Sequence, residues 1–371
     1  MTAPDPIAAI DAVTVGVDLP VPIVLSSVEI RRREYVVVTV TTGDGITGSS
    51  YSLTRGLPIA TAIRTVLAPL LVGSDSTLIA AAWERCYRAT LPGGRTGLLM
   101  RALSLVDVAL WDVNAKRAGL PLWKLLGGYR SEVPVLLVGG YPRPDRTPAE
   151  IGELAASYLK EGYPLVKLAR LSEPAATRQM LDAAAAAAGD DRGRFVVDAG
   201  WYWRTPAEAL TELRTWGDAE LAWLEDPLPP ENVAAAALLR SQSRFPIGIG
   251  DDLTDPGLLR SLGTASAIDV VRLDVTSIGG ITAAAKLVVW AEAAGLPVST
   301  HVYPELHVHL CAAWPGCTYA ESFDPEDNPF DPANRLFRAG LTFEKGAAKA
   351  PTMPGVGLEL DDGFIAGHRL D

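Results

Sequence analysis

Seven ionisable residues punctuate the second half of the chain at intervals of roughly 20–30 residues: Lys167, Asp198, Glu225, Asp251, Asp274, His301 and Glu321. Each closes a short apolar run. Asp198, Glu225 and Asp251 end consecutive runs, and carboxylate oxygens brought together in this way suit a hard divalent cation such as Mg²⁺. Without a metal, three converging carboxylates repel one another. Asp252, next to Asp251, is an alternative third ligand. Lys167 supplies a cation near the group. Asp274 and His301, on neighbouring runs, can form a carboxylate–imidazole pair in which the acid orients the ring as a general base. A single acid at a strand exit is often only a helix cap. A charged or ionisable residue at seven of eight consecutive exits is a series rather than decoration.

The runs that carry them are Val133–Gly139, Leu165–Ala169, Phe195–Asp198, Leu221–Glu225, Ile247–Asp251, Val270–Asp274, Val298–His301 and Thr318–Glu321. Alanine- and leucine-rich helical stretches lie between them, among them Thr205–Thr215, Val233–Arg240 and Ile281–Ala294. This is the pitch of a βα unit, and eight units predict a (β/α)8-type barrel. No GxGxxG opens a helix after a first strand, which argues against a doubly wound dinucleotide fold. In such a barrel the strand exits share one mouth, where chemistry gathers. Upstream, Val13–Val17, Ser27–Ile30 and Tyr35–Thr41 read as strands, with a turn at Thr42-Gly43-Asp44-Gly45. Helices are expected from Pro58 to Leu71, over Leu78–Ala89 and over Gly97–Ala118. The chain therefore divides into an N-terminal α+β capping domain (residues 1–128), the barrel (129–330) and a C-terminal segment returning to the cap (331–371).

The whole chain has 371 residues, 48% of them hydrophobic and 21% charged, enough to bury a large core. A net charge of −11 disfavours nucleic acid and anionic membranes as partners. No stretch reaches the roughly 18 apolar residues of a membrane span, and no signal peptide is visible. Cys86, Cys311 and Cys317 cannot all pair and form no CxxC, which points to a cytoplasmic protein without a disulfide framework.

Several stretches resemble the enolase superfamily, in particular its mandelate racemase-like group. They are Ser104-Leu105-Val106-Asp107-Val108-Ala109-Leu110-Trp111-Asp112, the run Gly119-Leu120-Pro121-Leu122-Trp123-Lys124-Leu125-Leu126-Gly127-Gly128, and Ile278-Gly279-Gly280-Ile281-Thr282. Phe195-Val196-Val197-Asp198-Ala199, Trp223-Leu224-Glu225-Asp226-Pro227 and Ile249-Gly250-Asp251-Asp252 are similar to the family's three metal-ligand strands. The resemblance implies abstraction of the proton α to a carboxylate, with Mg²⁺ stabilising the enediolate. It implies His301 as base oriented by Asp274, with Lys167 and Glu321 holding the substrate carboxylate. Relatives of this kind are commonly dimers or octamers, so a homo-oligomer is expected.

One departure decides the reaction. The family's second strand usually reads Lys-x-Lys, whereas here it reads Lys167-Leu168-Ala169-Arg170. The second lysine, a base on the opposite face, is Ala169. Arg170 is one place on, facing the other side of the strand, and its guanidinium stays protonated. Inversion needs a proton donor opposite the base; β-elimination needs only one base. The expectation is an acid-sugar dehydratase, a Mg²⁺-dependent carbon–oxygen lyase acting on an aldonate or aldarate. A 2-hydroxy-acid racemase or epimerase using Lys167 as second base is the runner-up, and an idle barrel kept as a binding protein is a third reading.

Substrate choice in the resembled family lies in two loops of the cap, expected near Leu19–Val28 (Pro20, Pro22, Ser26, Ser27) and Gly48–Leu57 (Tyr51, Ser52, Arg55). Tyr51 and Arg55 are candidate substrate contacts, although Arg55 could equally meet a surface acid. His307 and His309 read as packing residues of the next helix, because their i,i+2 spacing does not share a helix face and no thiolate accompanies them. Trp201 and Trp203 either cover the substrate or stack structurally.

Overall fold

The computed structural model describes residues 5–25, 28–143, 145–324 and 330–371. The N-terminal sheet has three antiparallel strands in the order β1 (Ile7–Leu25), β2 (Val28–Thr42) and β3 (Thr47–Leu53). Its two faces serve different cores, as the two-residue period of a strand allows. Val36, Val38 and Val40 pack with Ile59, Ile63 and Leu67 of the following helix. Tyr35, Val37, Val13, Val15 and Val17 join the core shared with the barrel.

Three expectations are corrected here. The stretch assigned to a first loop is largely strand, because β1 runs on to Leu25 and pairs Ile23 with Ile30; Ser26 and Ser27 lie outside the described residues. The described part of the expected strand Ser27–Ile30, from Val28 on, and the expected strand Tyr35–Thr41 belong to the single β2. The second expected loop is mostly β3, in register with β2 from Tyr35↔Leu53 to Thr41↔Thr47.

The helix Leu98–Arg117 lies between the sheet and the barrel and is buried on nearly all sides. Its few polar residues explain the motif singled out above. Ser104 Oγ accepts the Gly279 N–H at 2.8 Å. Asp107 accepts the N–H and the hydroxyl of Thr282 at 2.9 and 2.6 Å, and the Trp111 indole donates to Thr282 Oγ1 at 2.9 Å. Asp107 thus caps the helix Gly280–Ala293 from another domain. Burial pushes its carboxyl up to about 7 against those donors. Gly280 is required there: its φ is +74°, and a Cβ would lie 2.2 Å from Asp107 Oδ2.

Eight parallel strands follow: β4 (Glu132–Gly140), β5 (Leu165–Ala169), β6 (Phe195–Asp198), β7 (Trp223–Glu225), β8 (Ile247–Ile249), β9 (Val270–Leu273), β10 (Val298–Thr300) and β11 (Cys317–Phe323). They pair in sequence, and β11 closes on β4 through Glu321↔Leu136, making the expected barrel. A short antiparallel pair, β12 (Phe343–Glu344) and β13 (Ala347–Lys349), extends from β4. The chain end returns to the cap, where the Leu370 N–H donates to the Thr14 carbonyl.

The barrel interior is layered. Leu136, Leu165, Val196, Trp223 and Val270 form an apolar plug. Two residues further along each strand the same face carries Val138, Lys167, Asp198, Glu225 and Arg272. A dry floor therefore supports a charged layer. No helix among the described residues is long and apolar enough to cross a membrane.

Candidate active site

Asp198 and Glu225 end β6 and β7, while Asp251 follows β8 by two residues. One oxygen from each lies within 4.8 Å of the others. Tyr141 donates its hydroxyl to Asp198 Oδ2 at 2.6 Å, and the Gly200 N–H binds Oδ1 at 2.9 Å. Lys167 Nζ stands among the acids, 2.7 Å from Glu225, 2.9 Å from Glu321, 3.5 Å from Asp251 and 3.7 Å from Asp198. Arg272, fully buried, reaches Glu225 at 2.9 Å, Asp251 at 3.0 Å, Glu321 at 2.5 Å and Ser299 Oγ at 2.7 Å.

Four carboxyl groups thus crowd around two fixed cations, an excess of acidic oxygens that suits a divalent ion. Burial, and the nearby charge of Asp251, push Glu225 up to about 8 even though Arg272 and Lys167 oppose it. Burial acts on Asp251 in the same sense, but Arg272, His301 and Lys167 hold it well below the usual carboxylate range. An all-oxygen, largely buried donor set with unbalanced negative charge fits Mg²⁺.

Asp274 and His301 immediately follow β9 and β10. His301 Nδ1 lies 3.3 Å from Asp274 Oδ2, and its Nε2 lies 3.7 Å from Asp251. Asp274 Oδ1 accepts the N–H and hydroxyl of Thr276 at 2.7 and 2.8 Å, which fixes the carboxylate. Burial pushes the His301 imidazole down, yet Asp251, Asp274 and Asp252 outweigh it and raise the ring to about 9.

Asp252 is engaged elsewhere. It receives Arg55 at 2.9 Å and Arg101 at 2.8 Å, and it groups with Asp274 and His301 rather than with Asp198 and Glu225. Arg55 therefore reaches the barrel mouth from the cap, with its guanidinium on an acid. Six of the eight non-glycine residues with left-handed φ among those described are Arg55, Trp201, Asp226, Asp252, Val302 and Tyr303. Three of these directly follow Glu225, Asp251 and His301, so backbone strain is concentrated where the side chains must be aimed.

Tyr51 is part of the core. It is fully buried, its hydroxyl donates to Glu305, and its ring packs edge-on against Tyr303 and Phe337. Ala169 pairs in register with Asp198. Arg170 turns outward to a two-pronged bond with Glu212, both contacts 2.8 Å, beneath the Tyr202 ring. Trp203 is buried with its indole on Glu212, whereas Trp201 is partly exposed. Cys311 and Cys317 are in contact in the core, Sγ to Sγ 2.9 Å. Sequence reasoning missed Arg272, Tyr141 and Tyr303. Arg272 left a signal, a lone cation inside the apolar run Val270–Leu273; Tyr141 left none.

A family model described as mandelate racemase / muconate lactonizing enzyme, N-terminal domain, matches residues 9–127. One described as enolase C-terminal domain-like matches residues 150–364. A 3,6-anhydro-alpha-L-galactonate cycloisomerase of Streptomyces coelicolor is 30% identical over 88% of this chain and 89% of its own. An arabinonate dehydratase of Saccharolobus solfataricus is 29% identical over 91% of each. The crystal structure of an L-talarate dehydratase from Polaromonas sp. JS666, complexed with Mg and L-glucarate, superposes with a TM-score of 0.87 at 29% identity, covering 99% of this chain and 98% of that one. Both halves of the chain, the closed barrel and the acidic mouth agree: the protein belongs to the mandelate racemase-like family of the enolase superfamily.

Proposed function

We propose that this protein is a Mg²⁺-dependent acid-sugar dehydratase that removes the α-proton of an aldonate or aldarate and expels the 3-hydroxyl. One observation carries the reading. The acid/base machinery is one-sided, with His301 and Asp274 on one flank and the methyl group of Ala169 level with Asp198 where a second base would stand. Relatives support it, since they include arabinonate, L-talarate/galactarate and D-mannonate dehydratases.

Asp198, Glu225 and Asp251 would hold the metal. Mg²⁺ bound there supplies fixed positive charge against the negative charge growing on the substrate carboxylate and, by occupying Asp251, withdraws an attraction that keeps the proton on His301. Lys167 offers its ammonium to that carboxylate, and Glu321 fixes Lys167 and Arg272 rather than standing free. Asp274 accepts the His301 Nδ1–H, which turns the Nε2 lone pair toward the mouth. His301 takes the α-proton at Nε2 and returns a proton to the departing oxygen; the enol product then tautomerises to a 2-keto-3-deoxy acid. Cycloisomerases among the relatives favour a variant of the same chemistry. Where the departing oxygen is tethered in a ring, the same bond changes open the ring without losing water.

Incubation with Mg²⁺ in D2O against a panel of sugar acids, their anhydro and lactone forms and small 2-hydroxy acids tests the proposal. A 2-keto product is expected, and His301→Asn should lower kcat by about 10²–10⁴-fold. Inversion at the α-carbon without elimination, or near-normal turnover by His301→Asn, would overturn it.

A further inference from the structure

His307 lies in the helix Pro304–Ala313, is fully buried, and has no part in the chemistry described above. Its two ring nitrogens bond to two different strand exits. Nε2 accepts the N–H of Val275 at 2.9 Å, and Nδ1 lies 2.5 Å from the carbonyl oxygen of Val302. Val275 follows Asp274 and Val302 follows His301, so one rigid ring spans the backbone immediately beyond both members of the pair.

We propose that His307 is a positioning residue that holds the Asp274 and His301 exits at a fixed separation through its two ring nitrogens. The inference rests on the reading of His301 as the base. One partner is a donor and the other an acceptor, so the ring is the neutral Nδ1–H tautomer. A second ring proton would face the Val275 N–H, donor against donor. Burial lowers the proton affinity of the ring, although Asp274, whose Oδ1 is 3.7 Å from Nε2, pulls the other way.

The turn it holds cannot hold itself. Val302 and Tyr303 both have left-handed φ, +39° and +45°, a conformation that strains a non-glycine residue and persists only where neighbours impose it. The other tethers are the Val302 N–H on Glu321 at 3.3 Å, the His301 N–H on the Leu273 carbonyl at 2.9 Å, and the Tyr303 hydroxyl, which accepts the Leu53 N–H at 3.1 Å. Among the described residues, the imidazole of His307 is the side chain that hydrogen-bonds to the backbone beyond both β9 and β10. Without it the turn relaxes, and the 3.3 Å contact between His301 and Asp274 opens.

His307→Leu, which fills the space without polar atoms, and His307→Gln, whose amide offers one donor and one acceptor, test this. The leucine variant is expected to lose kcat by on the order of 10²-fold with KM and Mg²⁺ affinity unchanged, and glutamine should restore most of it. The downfield proton resonance of His301 Nδ1–H, read in the Mg²⁺-loaded protein without substrate, should vanish in His307→Leu and return in His307→Gln. That signal separates this inference from the assignment of function, because it is judged even if no acid turns over. Should the leucine variant fail to fold, His307→Asn, too short to reach both partners, is expected to lose the same resonance. A His301 resonance that persists in either variant, or kcat, KM and Mg²⁺ affinity falling together without rescue by glutamine, would overturn the proposal.

Discussion

Ala169 of β5 stands in register with Asp198 of β6, so the two side chains point to the same face of the sheet. A methyl group therefore occupies the level at which a second base would meet the substrate from the side opposite His301. In D2O, deuterium should enter at the α-carbon without inversion, and Ala169→Lys should gain slow epimerisation of a substrate the wild type only dehydrates. Chiral analysis of recovered substrate checks this; inversion by the wild type would show that another group protonates that face.

Arg272 is the counter-charge for Glu225, Asp251 and Glu321 at once. Arg272→Met leaves buried carboxylates without their partner, a loss of about 3–5 kcal/mol in the metal-free protein. A dication then offsets more uncompensated charge than in the wild type, so Mg²⁺ should recover more stability in the variant. Thermal unfolding in EDTA and in Mg²⁺ measures both effects. A variant as stable as the wild type in EDTA would show that Arg272 is not needed to hold the acids together.

Asp251 and Asp252 are adjacent but diverge. Asp251 meets Arg272 and Lys167 within the acidic cluster, while Asp252 meets Arg55 and Arg101 at the domain interface. Asp251→Asn should weaken Mg²⁺ binding by at least about 100-fold, the upper end of what losing a mere supporting residue costs. Asp252→Asn should leave Mg²⁺ binding nearly intact and free Arg55. Calorimetric titration with Mg²⁺ ranks the two, and the reverse order would reassign the third ligand.

His309 should make the fold acid-sensitive. It accepts the Trp123 N–H at Nδ1, 3.2 Å away, and its Nε2–H donates to the Val356 carbonyl at 3.0 Å. Burial depresses its pKa to about 4. The unfolded chain, with an ordinary imidazole near 6.5, binds the proton first as pH falls. Stability is therefore full above about pH 6.5 and declines toward pH 4, by roughly 3 kcal/mol in all. Urea unfolding at pH 7, 5.5 and 4.5 reads the slope, which should flatten in His309→Gln.

The eight-strand rhythm and the identity of the mouth residues were legible in the sequence because both are local. A two-residue period within a strand and a repeat of βα length are written in neighbouring residues, and a charge at the end of an apolar run marks an exit wherever the chain later goes. The strand β3 reads as a loop on the resemblance to the family's cap, and only packing shows its Ser50 and Ser52 buried, with Ser50 Oγ donating to the Leu105 carbonyl at 2.7 Å. What each mouth residue touches was decided only by closure. Lys167 and Glu321 are 154 positions apart, and they meet because β11 closes on β4 beside β5. Closure likewise sends Arg272 inward among the acids, gives Asp251 to the cluster and Asp252 to the arginines, and sets His307 across two strand ends. Chain periodicity prescribes which face a residue occupies; only the packed barrel prescribes its partners, because burial obliges each charged group to find a complement that can lie anywhere along the chain.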